Sequence, residues 1–297
     1  MSRIDRNTLA GYSAGITAGV SYGMNPLFAK HLLAEGVSVT TMLFLRYGLA
    51  MLIMGVWIVL RRDSFRLSLK QAGWMLVLGV LFSASSFTLF ESYRFIPSGL
   101  GTTLVYLYPV LVALTMIFMG VFPSWQVWLS IFATFAGVAV LSIPTKGEVF
   151  GWQGIAFACT SALVYAWYLV IVNSTKAVRD VSSHVLTFYA LLVGSIWFGT
   201  SQMCSGRPML DNVGTGLDWL CLVGLAIFPT LISLLTLAIS TRKIGATKTS
   251  VLGVFEPVTA ILIGTLAFGE PFSARIVLGV AICLGAILFM ILCPGKK

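Results

Sequence analysis

Residues 244–271 decide the fold; they read I-G-A-T-K-T-S-V-L-G-V-F-E-P-V-T-A-I-L-I-G-T-L-A-F-G-E-P. Most of it is apolar enough to lie in lipid, yet Glu256 and Pro257 stand near its middle. A charged side chain at the centre of a membrane-length helix costs roughly 2.5 kcal/mol or more. Proline removes a helical hydrogen bond, so the carbonyl of Gly253 is expected to lack its partner. Because hydrocarbon offers this carbonyl no hydrogen-bond donor, the face of the helix that carries Glu256 is expected to line a cavity or the bundle interior. The alternative is a buried ion pair that only fixes packing.

The composition places the whole chain in a membrane. Of 297 residues, 58% are hydrophobic and only 10% are charged, and the mean hydropathy is +0.96. A soluble domain is about 25% charged. The formal net charge of +9 does not indicate nucleic acid, because the basic residues are scattered between apolar runs, as the positive-inside rule describes.

Neither the cysteines nor the N-terminus changes this class. The five cysteines are odd in number and mostly lie in apolar segments, so we expect no disulfide framework, no metal site and no cofactor. The first residues resemble the basic start of a signal peptide, but the apolar stretch continues to about Ala29 without a clear cleavage site. We therefore expect a first spanning helix there.

Ten apolar runs are long enough to span a bilayer, which takes about 17–25 residues each. They fall at residues 9–29, 38–60, 72–91, 97–119, 124–143, 152–173, 182–203, 217–240, 245–267 and 272–293. The segments between them are short and contain glycine, proline or charge. The sequence therefore predicts an all-α, polytopic membrane protein with ten transmembrane helices.

The basic residues predict the orientation of these spans. With ten spans both termini share one side, and if that side is the cytoplasm the inner segments hold twelve basic residues and the outer segments five. The remaining two, Arg46 and Lys248, fall inside helices. The bias predicts cytoplasmic N and C termini in the plasma (inner) membrane.

An internal repeat organises the chain. At a shift of 148 residues, the identical pairs include Arg94 with Arg242, Pro109 with Pro257, Pro123 with Pro271 and Gly137 with Gly285. Two prolines, an arginine and a glycine in one gap-free register exceed what chance gives in an apolar chain. Because each half has five helices, the copies enter the membrane in opposite directions. The sequence predicts inverted repeats at residues 1–146 and 147–297, an arrangement typical of secondary transporters.

The first span carries two further signals. Gly11, Gly15, Gly19 and Gly23 recur every four residues. They form one helical stripe, which predicts a close packing seam. Asn25 and Pro26 then interrupt the span; their irregular backbone, with Tyr22 one turn earlier, either faces a cavity or ends the helix near the outer surface.

Several motifs make the chain resemble a known family over its full length. G-A-T-K-T-S-V-L at 245–252 precedes Glu256-Pro257, and G-E-P follows at 269–271. The first half has Y-L-Y-P at 106–109 and L-R-Y at 45–47. These features are similar to the drug/metabolite transporter superfamily, and within it to EamA-type ten-helix exporters. One departure is Phe122, which stands where many members have a glutamate before the proline. The resemblance implies transport of amino acids, other metabolites or drugs, usually outward.

Depth along the helices sorts the buried charges. Arg46 lies about 12 Å, and Glu256 about 16 Å, from the opposite membrane faces at which their helices begin, so the two can sit at one level and pair. Glu91 is a competing partner for Arg46, although it belongs near the outer end of the third helix. Lys248 either contacts substrate or extends to water at the cytoplasmic end.

The candidate site combines these charges with aromatic residues. Tyr108 occupies in the first repeat the position that Glu256 occupies in the second. One acid and one base beside aromatic rings would fit a zwitterion such as an amino acid. The predicted substrate-binding residues are Glu256, Arg46, Tyr22, Asn25, Tyr108, Tyr165, Lys248, Tyr106, Tyr168 and Glu91.

The sequence thus predicts a secondary transporter of small metabolites and favours export of amino acids or related compounds. A passive channel, a lipid flippase and a transporter of drugs, organic cations or nucleosides are the alternatives. An intramembrane enzyme is disfavoured, because all five aspartates fall in terminal or loop segments and leave no aspartyl pair within the membrane. The sequence contains no P-loop, so ATP hydrolysis is not expected. The expected partners are a small-molecule substrate and the lipid bilayer, without nucleic acid; proton coupling and the choice between monomer and homodimer stay open.

Overall fold

The computed structural model of the chain describes residues 6–92, 94–96, 101, 104–141, 151–206, 208, 210, 212–268 and 274–292. Within these residues the regular structure is helical and no strand occurs. The predicted all-α class is therefore confirmed. Glu270 and Pro271, the second acid–proline pair of the sequence, lie outside the described residues.

Most of the helices overlap the predicted spans. They are α1 (Arg6–Gly23), α2 (Asn25–Ala34), α3 (Val39–Leu60), α4 (Leu69–Ser92), α5 (Tyr108–Phe118), α6 (Trp125–Leu141), α7 (Trp152–Ser174), α8 (Lys176–Arg179), α9 (Ser183–Cys204), α10 (Gly216–Ala226), α11 (Ser233–Ile244), α12 (Ala246–Leu252), α13 (Phe255–Phe268) and α14 (Ala274–Leu292). A π-helical segment, Ile227–Ile232, joins α10 to α11 without a gap. Five of these elements are each long and apolar enough to cross a membrane: α3, α4, α7, α9 and the continuous run from Gly216 to Ile244.

The first span differs from its prediction. Instead of one helix over 9–29, the chain forms α1 and α2, which meet at a turn at Met24 and continue to Ala34. Pro26 lies at the start of α2, where its missing N–H costs nothing. The predicted interruption at Asn25-Pro26 is therefore confirmed as a break inside the span rather than its end.

The spans that contain the paired prolines Pro109 and Pro257 are also broken. Helix α12 ends at Leu252 and α13 starts at Phe255, while α5 starts at Tyr108 after a turn. The breaks thus fall at matching places of the two halves. The Gly253 carbonyl, expected to lack a partner, accepts a hydrogen bond from the Glu256 N–H at 2.8 Å, so that expectation is wrong.

Helix packing is the same when the two halves are exchanged. Helix α1 packs against α11 and α13, and its counterpart α7 packs against α4 and α5. The pairs α3–α9 and α6–α14 each join a helix to its own counterpart. This is the packing that two repeats around a two-fold axis require. The predicted boundary between 146 and 147 stays a prediction, since residues 142–150 lie outside the described ones.

The glycine stripe of α1 is a packing seam, as predicted. The stripe lies against α11, α12 and α13 in turn, where a Cβ on any of its four glycines would meet a neighbouring residue. At Gly23 an added Cβ would lie 2.5 Å from the carbonyl oxygen of Glu256 and 2.6 Å from Cβ of Thr259. The seam therefore fixes α1 against the half-helix that carries Glu256.

The two ends of the bundle differ in charge. At one end, here called the basic end, Lys243 donates to the Asn7 side chain at 3.0 Å, and the Arg242 side chain reaches the carbonyl of Val178. These contacts join residues 6–8, 174–183 and 242–246. His184, at the start of α9, lies 3.9 Å from Asp63, which places residues 61–70 at the same end. The four segments hold nine lysines and arginines. At the opposite end His31 bonds to Asp218 at 3.0 Å.

The seam generates a first prediction. We expect Gly23→Ala to lower the melting temperature of the purified protein, because the new Cβ would meet main-chain atoms that cannot move aside. Overpacking of this kind costs about 1–3 kcal/mol. Gly73→Ala is the matched control, since Gly73 lies in α4 with nothing within 4 Å of an added Cβ. Alanine is favoured over glycine in a helix interior, so the control should melt at the wild-type temperature or above. Equal melting of the two variants would contradict the close contact.

Candidate functional site

Two broken spans cross at the centre of the bundle. The Tyr106 hydroxyl, at the break before α5, donates to the carbonyl of Val251 at 2.8 Å. The Tyr108 hydroxyl occupies the space beside Gly253 where a Cβ would otherwise lie. Each break therefore contacts the other, and the first half supplies phenol groups to the irregular backbone of the second.

Glu256 lies directly after this crossing, in the first turn of α13. Four tyrosines interact with it electrostatically: Tyr22, Tyr106, Tyr108 and Tyr165. None of the salt bridges found among the described residues includes its carboxylate. The acid is therefore surrounded by phenols rather than by cations, at a helix start whose partial positive charge favours an anion.

The phenol rings form a continuous series through the interior. Ring centroids lie 5.7 Å apart for Tyr106 and Tyr108, 4.8 Å for Tyr108 and Tyr165, and 6.2 Å for Tyr165 and Tyr168. Phe82 extends the series, 5.5 Å from Tyr168. Edge-to-face and offset contacts at these distances stabilise aromatic pairs. The series links residues of both halves around Glu256.

Arg46 is enclosed by neutral oxygen acceptors. Its side chain is fully buried. It donates to the Asn25 side chain at 3.0 Å, to the Pro229 carbonyl at 3.0 Å and to the Thr230 hydroxyl at 2.5 Å. Pro229 and Thr230 belong to the π-helical segment, so Arg46 ties α3 both to this segment and to the break between α1 and α2.

The pairing of Arg46 with Glu256 that their depths allow does not occur in this structure. No salt bridge joins them, and Tyr22 interacts electrostatically with both. The guanidinium carbon lies 5.8 Å from the Tyr22 ring centroid. The prediction that both charges lie at one depth agrees with their shared neighbour, Tyr22. Depth gives no information on how each helix is rotated about its axis.

Eight of the ten predicted site residues come together in the interior. They are Tyr22, Asn25, Arg46, Tyr106, Tyr108, Tyr165, Tyr168 and Glu256. Glu91 does not join them; it forms a salt bridge of 2.9 Å with Arg94 near the end of α4. Lys248 lies in the first turn of α12, on the basic side of the break. The structure thus places Glu91 outside this cluster, in a salt bridge with Arg94.

Three contributing residues were missed by the sequence reasoning. Pro229 and Thr230 bind Arg46, and Ser86 bonds to the hydroxyl of Tyr47, the neighbour of Arg46, at 2.7 Å. A proline inside the apolar run 217–240 was the available signal, because it marks irregular helix. A serine in an apolar helix carries no comparable signal.

Comparison with known proteins agrees with the fold. The EamA-like transporter family matches the sequence at residues 9–143 and 152–292. An uncharacterized transporter of Archaeoglobus fulgidus is 27% identical over 64% of this chain and 66% of its own length. A second from that organism is 26% identical over 83% of this chain and 86% of its own. The uncharacterized transporter YyaM of Bacillus subtilis is 24% identical over 52% of each chain.

A solved structure supports the same architecture. One crystal structure superposes with a TM-score of 0.78 and covers 98% of this chain and 99% of its own, at 19% identity. At that identity the likeness concerns the fold alone. The family matches take in nearly all of both halves, including the broken spans and the helices that carry Arg46 and Glu256. This chain therefore belongs to the EamA-like transporter family, whose fold is polytopic and all-helical.

Proposed function

We propose that this protein is a secondary active transporter that exports amino acids or related small metabolites by alternating access between its two halves. The observation that supports it best is the position of Glu256, an acid without a described cation, at the crossing of two broken spans and among four tyrosines from both halves.

The carboxylate is difficult to explain as a packing residue. A charge inside a membrane is expensive, and a structural acid would be expected to have a cation or several hydrogen-bond donors beside it. Acids of this kind in membrane spans mark proton relays and substrate paths. Glu256 is therefore proposed to take and release a proton, or to bind a substrate amine, as its surroundings change.

The surroundings can change because the helices on either side of Glu256 are short. Helices α12 and α13 are separated by the turn at Gly253 and Val254, so each can tilt without bending a continuous helix. Half-helices whose ends point at a midplane site are a recurring feature of secondary transporters. Separation of the tyrosine series would open a cavity between the halves.

The groups around Tyr22 favour a substrate with both charges. An ammonium group is attracted by a carboxylate and by aromatic faces, and the Glu256 carboxylate lies among four tyrosines. A carboxylate would be attracted by Arg46, whose guanidinium lies 5.8 Å from the Tyr22 ring centroid. A zwitterion such as an amino acid carries both groups. The proposed partners are this solute and the lipid bilayer, with protons as the coupling ion and either a monomer or a homodimer as the working unit.

Counterflow in proteoliposomes tests the proposal against its alternatives. A panel of labelled amino acids, nucleosides and organic cations should be assayed with and without a pH gradient. Saturable counterflow of an amino acid is expected. Non-saturable flux would support a channel, movement of labelled lipid alone would support a flippase, and counterflow of another class would correct the substrate. The family and its named relatives are transporters, and we propose no enzymatic activity.

The family and the apolar helices indicate a multi-pass membrane protein. We further propose that the membrane is the plasma membrane and that the basic end faces the cytoplasm, so that both termini are inside. The nine cations gathered at that end support this orientation, because positive loops are retained in the cytoplasm.

Cys204 gives a direct test of the orientation. It is exposed at the end of α9 that lies away from the basic end, whereas Cys221 and Cys283 are buried. An impermeant maleimide should label intact cells at Cys204, and Cys204→Ser should remove the label. Lys70→Cys, in a background in which both Cys204 and Cys293 are replaced by serine, places a thiol at the basic end and should react only after permeabilisation. The reverse pattern would overturn the orientation.

Glu256→Gln tests the carboxylate itself. The variant keeps the shape of the side chain and cannot carry a proton in and out, so pH-driven uptake should fall by tenfold or more while solute exchange persists. Loss of both activities would assign Glu256 to substrate binding instead. Glu35→Gln is the matched control, since Glu35 is exposed at the end of α2, and it should retain both activities. Wild-type behaviour of Glu256→Gln would reject both roles.

Arg46→Gln tests the separation of the two charges. It leaves the acceptors on Asn25, Pro229 and Thr230 with fewer donors, and each buried polar group left unsatisfied costs about 1–3 kcal/mol. The melting temperature should therefore fall. Because Arg46 and Glu256 form no ion pair, adding Glu256→Gln should not restore stability. Substantial recovery in the double variant would show that the two side chains pair directly in solution.

A further inference from the structure

Unpartnered polar atoms concentrate at the basic end of the bundle. Among the described residues, six buried side-chain atoms have no hydrogen-bond partner. Four of them lie near that end: Tyr168 Oη, Thr187 Oγ1, Thr241 Oγ1 and Arg242 Nε. Buried polar groups are nearly always hydrogen-bonded, so this concentration calls for a partner from outside the described chain.

The helices bring these four residues to one depth. Tyr168 lies six residues before the end of α7 and Thr187 four residues after the start of α9. Thr241 and Arg242 stand in the last turn of α11, which packs against both α7 and α9. At about 1.5 Å per residue, all four lie within about 9 Å of the same end.

Tyr168 and Arg242 form the centre of this group. The two side chains interact electrostatically. Tyr168 is only 1% exposed, yet its hydroxyl has no partner. Arg242 Nη2 donates to the Val178 carbonyl at a long 3.4 Å, and Nε donates to nothing described. Arg179 adds a second positive charge nearby.

Comparison of the two repeats shows that, of two matched arginines, only Arg242 at the basic end lacks a carboxylate partner among the described residues. Arg94 is its counterpart at a shift of 148, and Arg94 is neutralised by Glu91 at 2.9 Å. The residue that corresponds to Glu91 in the second half is Ile239. No carboxylate of the described chain forms a salt bridge with Arg242. One arginine is therefore paired in the structure, while its counterpart faces a buried phenol.

We propose that Tyr168 and Arg242 form a binding subsite for an oxyanion, a carboxylate or phosphate group, at the basic end of the bundle. A guanidinium and a phenol both donate hydrogen bonds, and charge-assisted bonds to oxyanions are the strongest that such donors make. The Tyr168 ring stacks with Tyr165, which reaches the Glu256 cluster. The subsite therefore lies between the basic end and the central site, where it would hold the anionic group of a soluble solute. This inference goes beyond the proposed function, because an oxyanion subsite at this position would also serve a channel for anions.

Inorganic phosphate is a suitable probe, because it needs no knowledge of the solute. The purified full-length protein in neutral detergent should melt at a higher temperature with 1–20 mM sodium phosphate than with sodium chloride of equal ionic strength. A ligand that binds the folded state stabilises it by mass action, and a shift of about 2 °C or more is expected in the wild type.

Matched variants separate this subsite from general effects of salt. Arg242→Gln and Tyr168→Phe should each abolish the shift. Lys243→Gln removes the same charge one residue away, where the lysine is exposed and bonds to Asn7, and should keep it. A shift that survives in Tyr168→Phe, or that is absent from the wild type, would overturn the proposal. If Arg242→Gln does not fold, Tyr168→Phe alone decides, since it only removes an unpartnered hydroxyl.

A second arm distinguishes the source of the oxyanion. The same variants should be melted in nanodiscs of a neutral phosphatidylcholine and in nanodiscs with added phosphatidylglycerol. Stabilisation by soluble phosphate in the neutral nanodiscs, lost in Tyr168→Phe, is expected. Stabilisation only by the anionic lipid, also lost in Tyr168→Phe, would assign the site to a lipid headgroup and overturn a subsite for a soluble solute.

Discussion

The structure depends on how main-chain carbonyls are satisfied where its spans are irregular. Hydrocarbon supplies no hydrogen-bond donors, so each break has to find one inside the protein. Tyr106 supplies a donor to Val251, and Arg46 supplies one to Pro229. In both cases a side chain of the first half is bound to the backbone of the second. The irregular spans therefore join the halves as well as divide the helices.

The features that could be predicted from the sequence are those that depend on one helix at a time. The positions of the spans, the repeat register and the glycine seam follow from apolar length and spacing, which act along one helix at a time. The break at Asn25 was also predictable, because proline cannot continue a hydrogen-bonded helix. Most candidate residues were found for a related reason: an acid, an arginine and several tyrosines stand out in an apolar chain.

The relations between helices were harder to predict. Arg46 and Glu256 were placed at one depth, but depth says nothing about the rotation of each helix, and the pairing that depth allows is absent from the structure. Glu91 was assigned to the site although an arginine three residues later was available to it. Pro229 was the only signal of the π-helical segment in the sequence, because the bonds from Arg46 to Pro229 and Thr230 come from another span. A single-helix pattern carries no trace of such a contact.

The π-helical segment has a consequence for the rotational register of α11. A π turn holds about one residue more than an α turn, and one residue corresponds to about 100° of rotation around a helix. The segment Ile227–Ile232 therefore sets the rotational phase of α11, which presents Ser240 and Ile244 to the glycine stripe of α1. Deletion of one residue from it would turn that face away and place other side chains against the glycines. The length of a six-residue irregularity thus determines which surface the first span meets, and insertions or deletions there should be far less tolerated than in the loops.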